Sequence, residues 1–295
     1  MTFTTTTAAA RARRRNATIL AIAAGVVDVY RDPDAASERV TQALLGAPAT
    51  VLKSEPSGWT RVRLVDYEGW VESARLAAPA EPGETVAVVG VPRAPLYRHG
   101  AGAAIREEVY ATTTLPVLDP APISPAGRIP VALPGGEDGW LAAEDTLLRL
   151  TEMPFPRYGV DIAVALAHDL MRTPYLWGGV TARGIDCSGL SQLVCRLAGA
   201  IIPRDADQQY AALDYIIARA DVRRGDLVYF ADHGSITHVG VALDNMTILH
   251  ANGHDARVSI TSLNPRNGEY SAKLANMYAG ARRPFPDEQV AEQDE

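Results

Sequence analysis

The chain reads as an α+β domain preceded by two small all-β barrels, and three observations predict this. Of the 44 Gly and Pro residues 28 lie before residue 160, among them 15 of the 20 Pro, where short alternating runs are separated by turn signals. Within that part a Gly-Trp signature recurs about 70 residues apart. After a linker with two prolines, helical spacing comes first and strands follow. A length of 295 residues is compatible with two or three domains. Hydrophobic residues make up 47% and charged residues 21%, the balance of a well-cored globular chain.

The elements follow in order. A basic run, Arg11 to Arg15, precedes an apolar stretch from Ala17 to Val27, the outline of a signal peptide. The stretch reads instead as the first strand of the mature domain, because it is short and flows into the alternating Val27-Asp28-Val29-Tyr30, with a signal peptide as the alternative. No run approaches the roughly 20 apolar residues of a membrane span. Residues 16–80 read as the first barrel. Its strands include Ala49 to Leu52 and Thr60 to Val65, turned by Pro56-Ser57-Gly58, and Tyr67-Glu68-Gly69-Trp70-Val71 closes it. Residues 84–150 read as a degenerate second copy, opened by Thr85 to Val89 and ended by Glu137-Asp138-Gly139-Trp140-Leu141. Met153-Pro154-Phe155-Pro156 is the linker.

The α+β domain spans 157–286. Helical spacing covers Arg157 to Arg172, Cys187 to Leu197 and Gln208 to Ala218. Strands follow at Asp226 to Phe230, His238 to Leu243 and Thr247 to His250, and Asp287 to Glu295 is a polar, frayed end.

The chemistry centres on the two cysteines. Eight positions apart on one helix, Cys187 and Cys195 would have Cα atoms about 12 Å apart. A disulfide needs less than about 7 Å, so both are expected free. Cys187 opens its helix, where unpaired N–H groups and the positive dipole end favour thiolate. Cys195 lies among apolar neighbours and reads as core. A nucleophilic thiol needs a base nearby. His238 begins one strand and His250 ends the next, and the short turn at Asp244-Asn245-Met246 sets a register that opposes them. His250 is then placed to orient the His238 ring. His168 reads as an interior or boundary group, and His99, His233 and His254 as solvated loop residues. No Cys-x-x-Cys or His-x-x-x-His spacing supports a metal, and no cofactor is expected. A net charge of −7 argues against a nucleic-acid surface.

Four motifs in order resemble the NlpC/P60 family of cell-wall cysteine peptidases, whose catalytic domain is papain-like. They are Pro174-Tyr175-Leu176-Trp177-Gly178-Gly179, Gly184-Ile185-Asp186-Cys187-Ser188-Gly189-Leu190, Gly225 to Phe230, and Thr237-His238-Val239-Gly240-Val241. The barrels resemble bacterial SH3 domains, most closely at Val40 to Gly46 and Tyr67 to Val71. The resemblance implies Cys187 as nucleophile, His238 as base and His250 as third member. It also implies that Tyr175 and the Cys187 N–H hold the oxyanion. Asp186 and Ser188 flank the nucleophile, Trp177 belongs to the motif before it, and all three are implied to contact the substrate. Arg204, Asp205 and Gln209 resemble the segment lining the substrate cleft.

In the two-barrel, murein-recycling members a carboxylate binds the free amino end of the peptide and a first-barrel tyrosine closes that end. Asp205 and Tyr67 match by position, and Asp32 is a further acidic candidate. The plain alternative for Asp205 is an ion pair with Arg204 or a helix cap. The implied activity is hydrolysis of the γ-D-glutamyl–diamino acid bond in cell-wall peptides with a free N-terminal L-Ala, the third residue being diaminopimelate or Lys. The alternative is a wall-binding module with weak activity or a different amidase or acyltransferase activity. For such a recycling role the expected place is the cytoplasm, with export or wall association as the alternative.

Overall fold

Strand-forming runs punctuated by Gly and Pro build two β units, each of seven strands, in the computed structural model, which describes residues 18–118, 123–155 and 160–285. The basic run Arg11 to Arg15 and the end from Asp287 to Glu295 lie outside the described residues. In the first unit β1 (Ile19–Ile22), β2 (Val26–Tyr30), β3 (Arg39–Leu44), β4 (Pro48–Ser54), β5 (Trp59–Arg63), β6 (Glu68–Glu72) and β7 (Leu76–Ala77) follow one another. The stretch from Thr18 to Val27 thus supplies β1 and the start of β2, with Ala21, Ile22 and Val27 in the core. The sheet order is β3-β2-β6-β5-β4-β1-β7.

The second unit contains β8 (Thr85–Val89), β9 (Arg93–Tyr97), β10 (Ile105–Tyr110), β11 (Thr114–Pro116), β12 (Arg128–Ala132), β13 (Asp138–Ala142) and β14 (Thr146–Leu150). Its strands run β10-β9-β13-β12 and β11-β8-β14, and a bridge between Val117 and Val131 joins the two sets. The joined order repeats the first unit strand for strand. The shared motif occupies the same place in both: Trp70 pairs with Tyr30, and Trp140 with Tyr97. A single turn of 3₁₀ helix precedes the last strand in each. Topology therefore preserves a duplication that the side chains have largely lost.

The third unit opens with α1 (Val160–His168), shorter than the helix expected from 157 to 172. Residues 157–159 lie outside the described residues, and beyond His168 the chain turns to a positive φ at Arg172. A small hairpin of β15 (Val180–Thr181) and β16 (Gly184–Ile185) leads to α2 (Cys187–Leu197), and α3 (Ala206–Ala212) follows. The helix expected from Gln208 to Ala218 therefore ends at Ala212. The β-branched pair Ile216–Ile217 forms β17 instead, drawn out by pairing with Arg282 and Ala281.

The main sheet adds β18 (Leu227–Asp232), β19 (Ser235–Ala242), β20 (Thr247–Asn252), β21 (Arg257–Ser262) and β22 (Tyr278–Arg282), with α4 (Ala272–Met277) before the last strand. Its order is β17-β22-β18-β19-β20-β21, antiparallel throughout. One face packs on α1 and α2 through Val164, Leu190, Val194, Tyr229, Val239 and Leu249. No helix among the described residues is long and apolar enough to cross a membrane.

The three units share their cores. Leu45 of the first is buried in the core of the second, and Ala111 of the second joins the core of the third. Edge strand β3 is covered rather than left open, because the third unit sits against it.

Candidate active site

Asp186 ends an extended segment and its carboxylate accepts the Gly189 N–H at 2.7 Å, capping α2. The cap places Cys187 in the first helical turn, where backbone N–H groups lack partners within the helix. Cys187 is 9% exposed, and the Val239 amide donates to its sulfur. The residue directly after His238 therefore touches the thiol. Burial and then the Asp186 carboxylate push the Cys187 thiol up to about 12, against the pull of the Val239 N–H and Arg204. The direction is opposite to that expected of a thiol acidified by its helix: desolvation of the sulfur, then Asp186, outweighs the Val239 and Ser188 N–H groups and Arg204. Cys195 is free, fully buried and pushed upward by burial alone.

The His238 Nε2 lies 2.7 Å from the His250 Nδ1, and the His250 Nε2 lies 2.8 Å from the Thr261 hydroxyl. Burial lowers His238 to about 3, with His250 adding to the shift, and burial lowers His250 to about 4. Both rings are therefore neutral across the physiological range.

The two histidines meet, but not as the directly opposed pair that was expected. The β19–β20 ladder pairs Val241 with Leu249 and Ala242 with Ile248. His250 therefore lies beside Gly240, not opposite His238, and the two rings meet on a diagonal. A Cβ at Gly240 would stand 2.9 Å from Ile248 and 3.4 Å from the His250 Cβ, so a side chain there would have to displace one of them.

The phenol of Tyr175 lies near the thiol. Burial, then Cys187 and Asp186, raise its pKa strongly, so it stays protonated and able to donate. Its ring rests on Gly253.

The structure also brings Tyr67 of the first barrel to Asp205, with the phenol donating to the carboxylate at 3.3 Å. Asp205 occupies the residue before α3 but caps nothing with its side chain, and its second partner is the Gln208 amide at 3.0 Å. It is half-buried, and burial raises its pKa although Arg204 and Tyr67 draw it down. Neither plain alternative for Asp205 holds. The Arg204 guanidinium turns away, to Asp186 at 2.7 Å, Ser188 at 2.8 Å and Thr41 of the first barrel at 2.9 Å.

Arg204 is 1% exposed, and Asp186 and Ser188 are buried with it, their polar groups engaged with one another. Gln209 is likewise buried, bonded to Ser191 and to the Ser188 and Pro203 carbonyls. These four residues fit a role in fixing the helix that Cys187 opens rather than the substrate contact implied for them. Trp177 is 60% exposed, and its indole donates to Glu38 on the barrel at 2.9 Å. His168 is exposed rather than interior, and Asp32 lies on an exposed turn.

Sequence reasoning missed Thr261 and the docking set Glu38, Thr41, Gln42 and Asp66. Gln42 accepts from the Val180 N–H, and Asp66 accepts from Gln192 on α2. As ordinary polar residues on strands and turns they carried no signal.

Fold and site together define an α+β domain with a cysteine at a helix start and a histidine pair on the adjoining sheet, docked on SH3-like barrels. Residues 172–276 match the NlpC/P60 family and residues 29–76 match the bacterial dipeptidyl-peptidase Sh3 domain; the chain carries an NlpC/P60 domain behind a bacterial SH3 domain. It is 28% identical over 267 residues to a gamma-D-glutamyl-L-lysine dipeptidyl-peptidase of Bacillus cereus, covering 85% of this chain and 77% of that protein. It is 26% identical over 272 residues to dipeptidyl-peptidase 6 of Lysinibacillus sphaericus, covering 88% and 96%. The crystal structure of an NlpC/P60 family protein from Bacillus cereus shares the fold, with a TM-score of 0.77 at 23% identity over 91% of this chain and all of that one.

Proposed function

We propose that the protein is a cysteine endopeptidase that hydrolyses the γ-D-glutamyl–diamino acid bond of cell-wall peptides bearing a free N-terminal L-Ala. The observation that carries this reading is the pairing of the uncapped Asp205 carboxylate with Tyr67 from the barrel. A half-buried carboxylate beside a phenol, on the rim between two units, provides an anionic end-stop for an ammonium group. The two relatives named as dipeptidyl-peptidases support the same class of substrate.

In this mechanism the Cys187 thiol gives its proton to the Nδ1 of His238 as the sulfur attacks the γ-carbonyl carbon. The Nε2 of His238 is already held by His250. Negative charge on the carbonyl oxygen meets the Cys187 N–H and the Tyr175 hydroxyl, donors fixed before the charge develops. Protonated His238 returns its proton to the departing amine, leaving a thioester. A water, deprotonated by His238, then attacks the thioester and frees the thiol. The neutral resting pair matches a site that separates charge only once substrate has displaced water.

The test uses L-Ala-γ-D-Glu-diaminopimelate with a free and with an acetylated amine. The free peptide is expected to be cleaved at least about 100-fold better in kcat/KM, since a buried charge left without its partner costs on the order of 3 kcal/mol. Asp205→Asn is expected to erase most of that preference. Equal rates on both peptides would remove the end-stop role, and full hydrolysis by Cys187→Ala would remove the mechanism.

A further inference from the structure

The contacts His238 Nε2···His250 Nδ1 at 2.7 Å and His250 Nε2···Thr261 Oγ1 at 2.8 Å form one chain, and each neutral ring has a single N–H to place in it. The two placements are correlated. If the His250 Nε2–H donates to Thr261, the His250 Nδ1 is a lone pair, the His238 Nε2–H donates to it, and the Nδ1 of His238 is free to take the thiol proton. If instead the Thr261 hydroxyl donates to His250, every hydrogen reverses. The Nδ1 of His238 then carries a proton and cannot act as a base. The protonated ring sets the same demand, because its Nε2–H needs the His250 lone pair, which puts the His250 Nε2–H on Thr261. Both the base and the imidazolium thus require an acceptor at position 261.

We propose that Thr261 is a positioning residue for catalysis, its hydroxyl oxygen accepting from His250 and so fixing the base-competent tautomer of His238. This rests on the reading of Cys187 and His238 as nucleophile and base. The placement is built into the sheet. His250 pairs with Ser259 and Ile248 with Thr261, so Thr261 lies diagonally across the ladder from His250. Both residues are buried, at 1% for His250 and 7% for Thr261, which leaves little room for water to replace the hydroxyl. A hydroxyl suits the task because it offers two lone pairs and a proton that can rotate away.

Nitrogen-15 NMR of the imidazoles reads the tautomers directly. In the wild type both His238 and His250 are expected to carry their proton on Nε2. In Thr261→Val, which keeps the β-branched shape and deletes the acceptor, both are expected to shift toward Nδ1–H. The kcat is expected to fall at least about ten-fold with KM unchanged, a loss of the kind a misplaced tautomer produces. Thr261→Ser is expected to restore the wild-type tautomers and most of the rate. A wild-type His250 protonated on Nδ1, or a Thr261→Val variant that keeps both tautomers and its kcat, overturns the proposal. The wild-type spectrum decides even if Thr261→Val fails to fold. The same spectra of Cys187→Ala separate the two claims: hydrolysis retained there defeats the nucleophile, whereas the tautomers report on Thr261 regardless.

Discussion

At the residue scale the site is a contest between desolvation and local dipoles. Cys187 has the helix start, the Val239 N–H and Arg204 drawing it toward thiolate, and it is nevertheless held as a thiol because its sulfur is buried beside Asp186. The histidines obey the same rule with the opposite sign of charge, both held neutral below their ordinary value. The stability consequence has a definite sign. Above about pH 6.5 the rings are neutral folded and unfolded, so nothing is lost. As pH falls below that, the unfolded chain takes up protons that the folded protein refuses until about 4 and 3, and stability drops across that window. Urea midpoints measured from pH 7 to pH 4 should decline, and His250→Gln should decline less steeply. Equal slopes would show that the histidines are not buried neutral.

At the element scale the main lesson is the β19–β20 register. A hairpin read from loop length allowed a small range of registers, one of which opposes His238 to His250; the strands take another within that range, and Gly240 fills the place across from His250. Gly240→Val would press branched carbons against Ile248 and His250, and kcat/KM should fall about 100-fold, the scale of an ångström-sized displacement of a catalytic group. Circular dichroism should show the sheet intact. Retained activity would mean that the histidine contact is dispensable. The helix ending at Ala212 has a similar origin. Helical spacing from 208 to 218 was real in the sequence, but an edge of the sheet beside Arg282 and Ala281 competed for Ile216–Ile217 and won them as strand.

At the scale of the whole molecule, the first barrel is bonded directly into the candidate site. Its edge strand supplies Thr41 to Arg204, which in turn holds Asp186 and Ser188 at the start of the Cys187 helix, and its turn supplies Tyr67 to Asp205. Removing Thr41 leaves a buried guanidinium N–H without an acceptor. Thr41→Val should therefore destabilise the protein by about 1–3 kcal/mol in chemical unfolding. The kcat on blocked as well as free peptides should fall, because the defect lies at the helix start and not at the amine. A loss confined to free-amine peptides would place Thr41 in substrate recognition instead.

The amino-acid sequence by itself determined most of the element types, the duplicated β units and the residues able to do chemistry. Alternation, turn residues and a cysteine at a helix start are local properties, written within a few positions of the chain. It also carried the four motifs around Cys187 and His238. Tertiary structure decided the rest: how the two histidines meet, that Arg204 faces inward while Asp205 faces Tyr67, and that Thr261 ends the imidazole chain. Those outcomes depend on distant segments. Burial sets the protonation of a thiol or a ring, and burial is the sum of every unit packed around it, 138 positions away in the case of Tyr67 and Asp205.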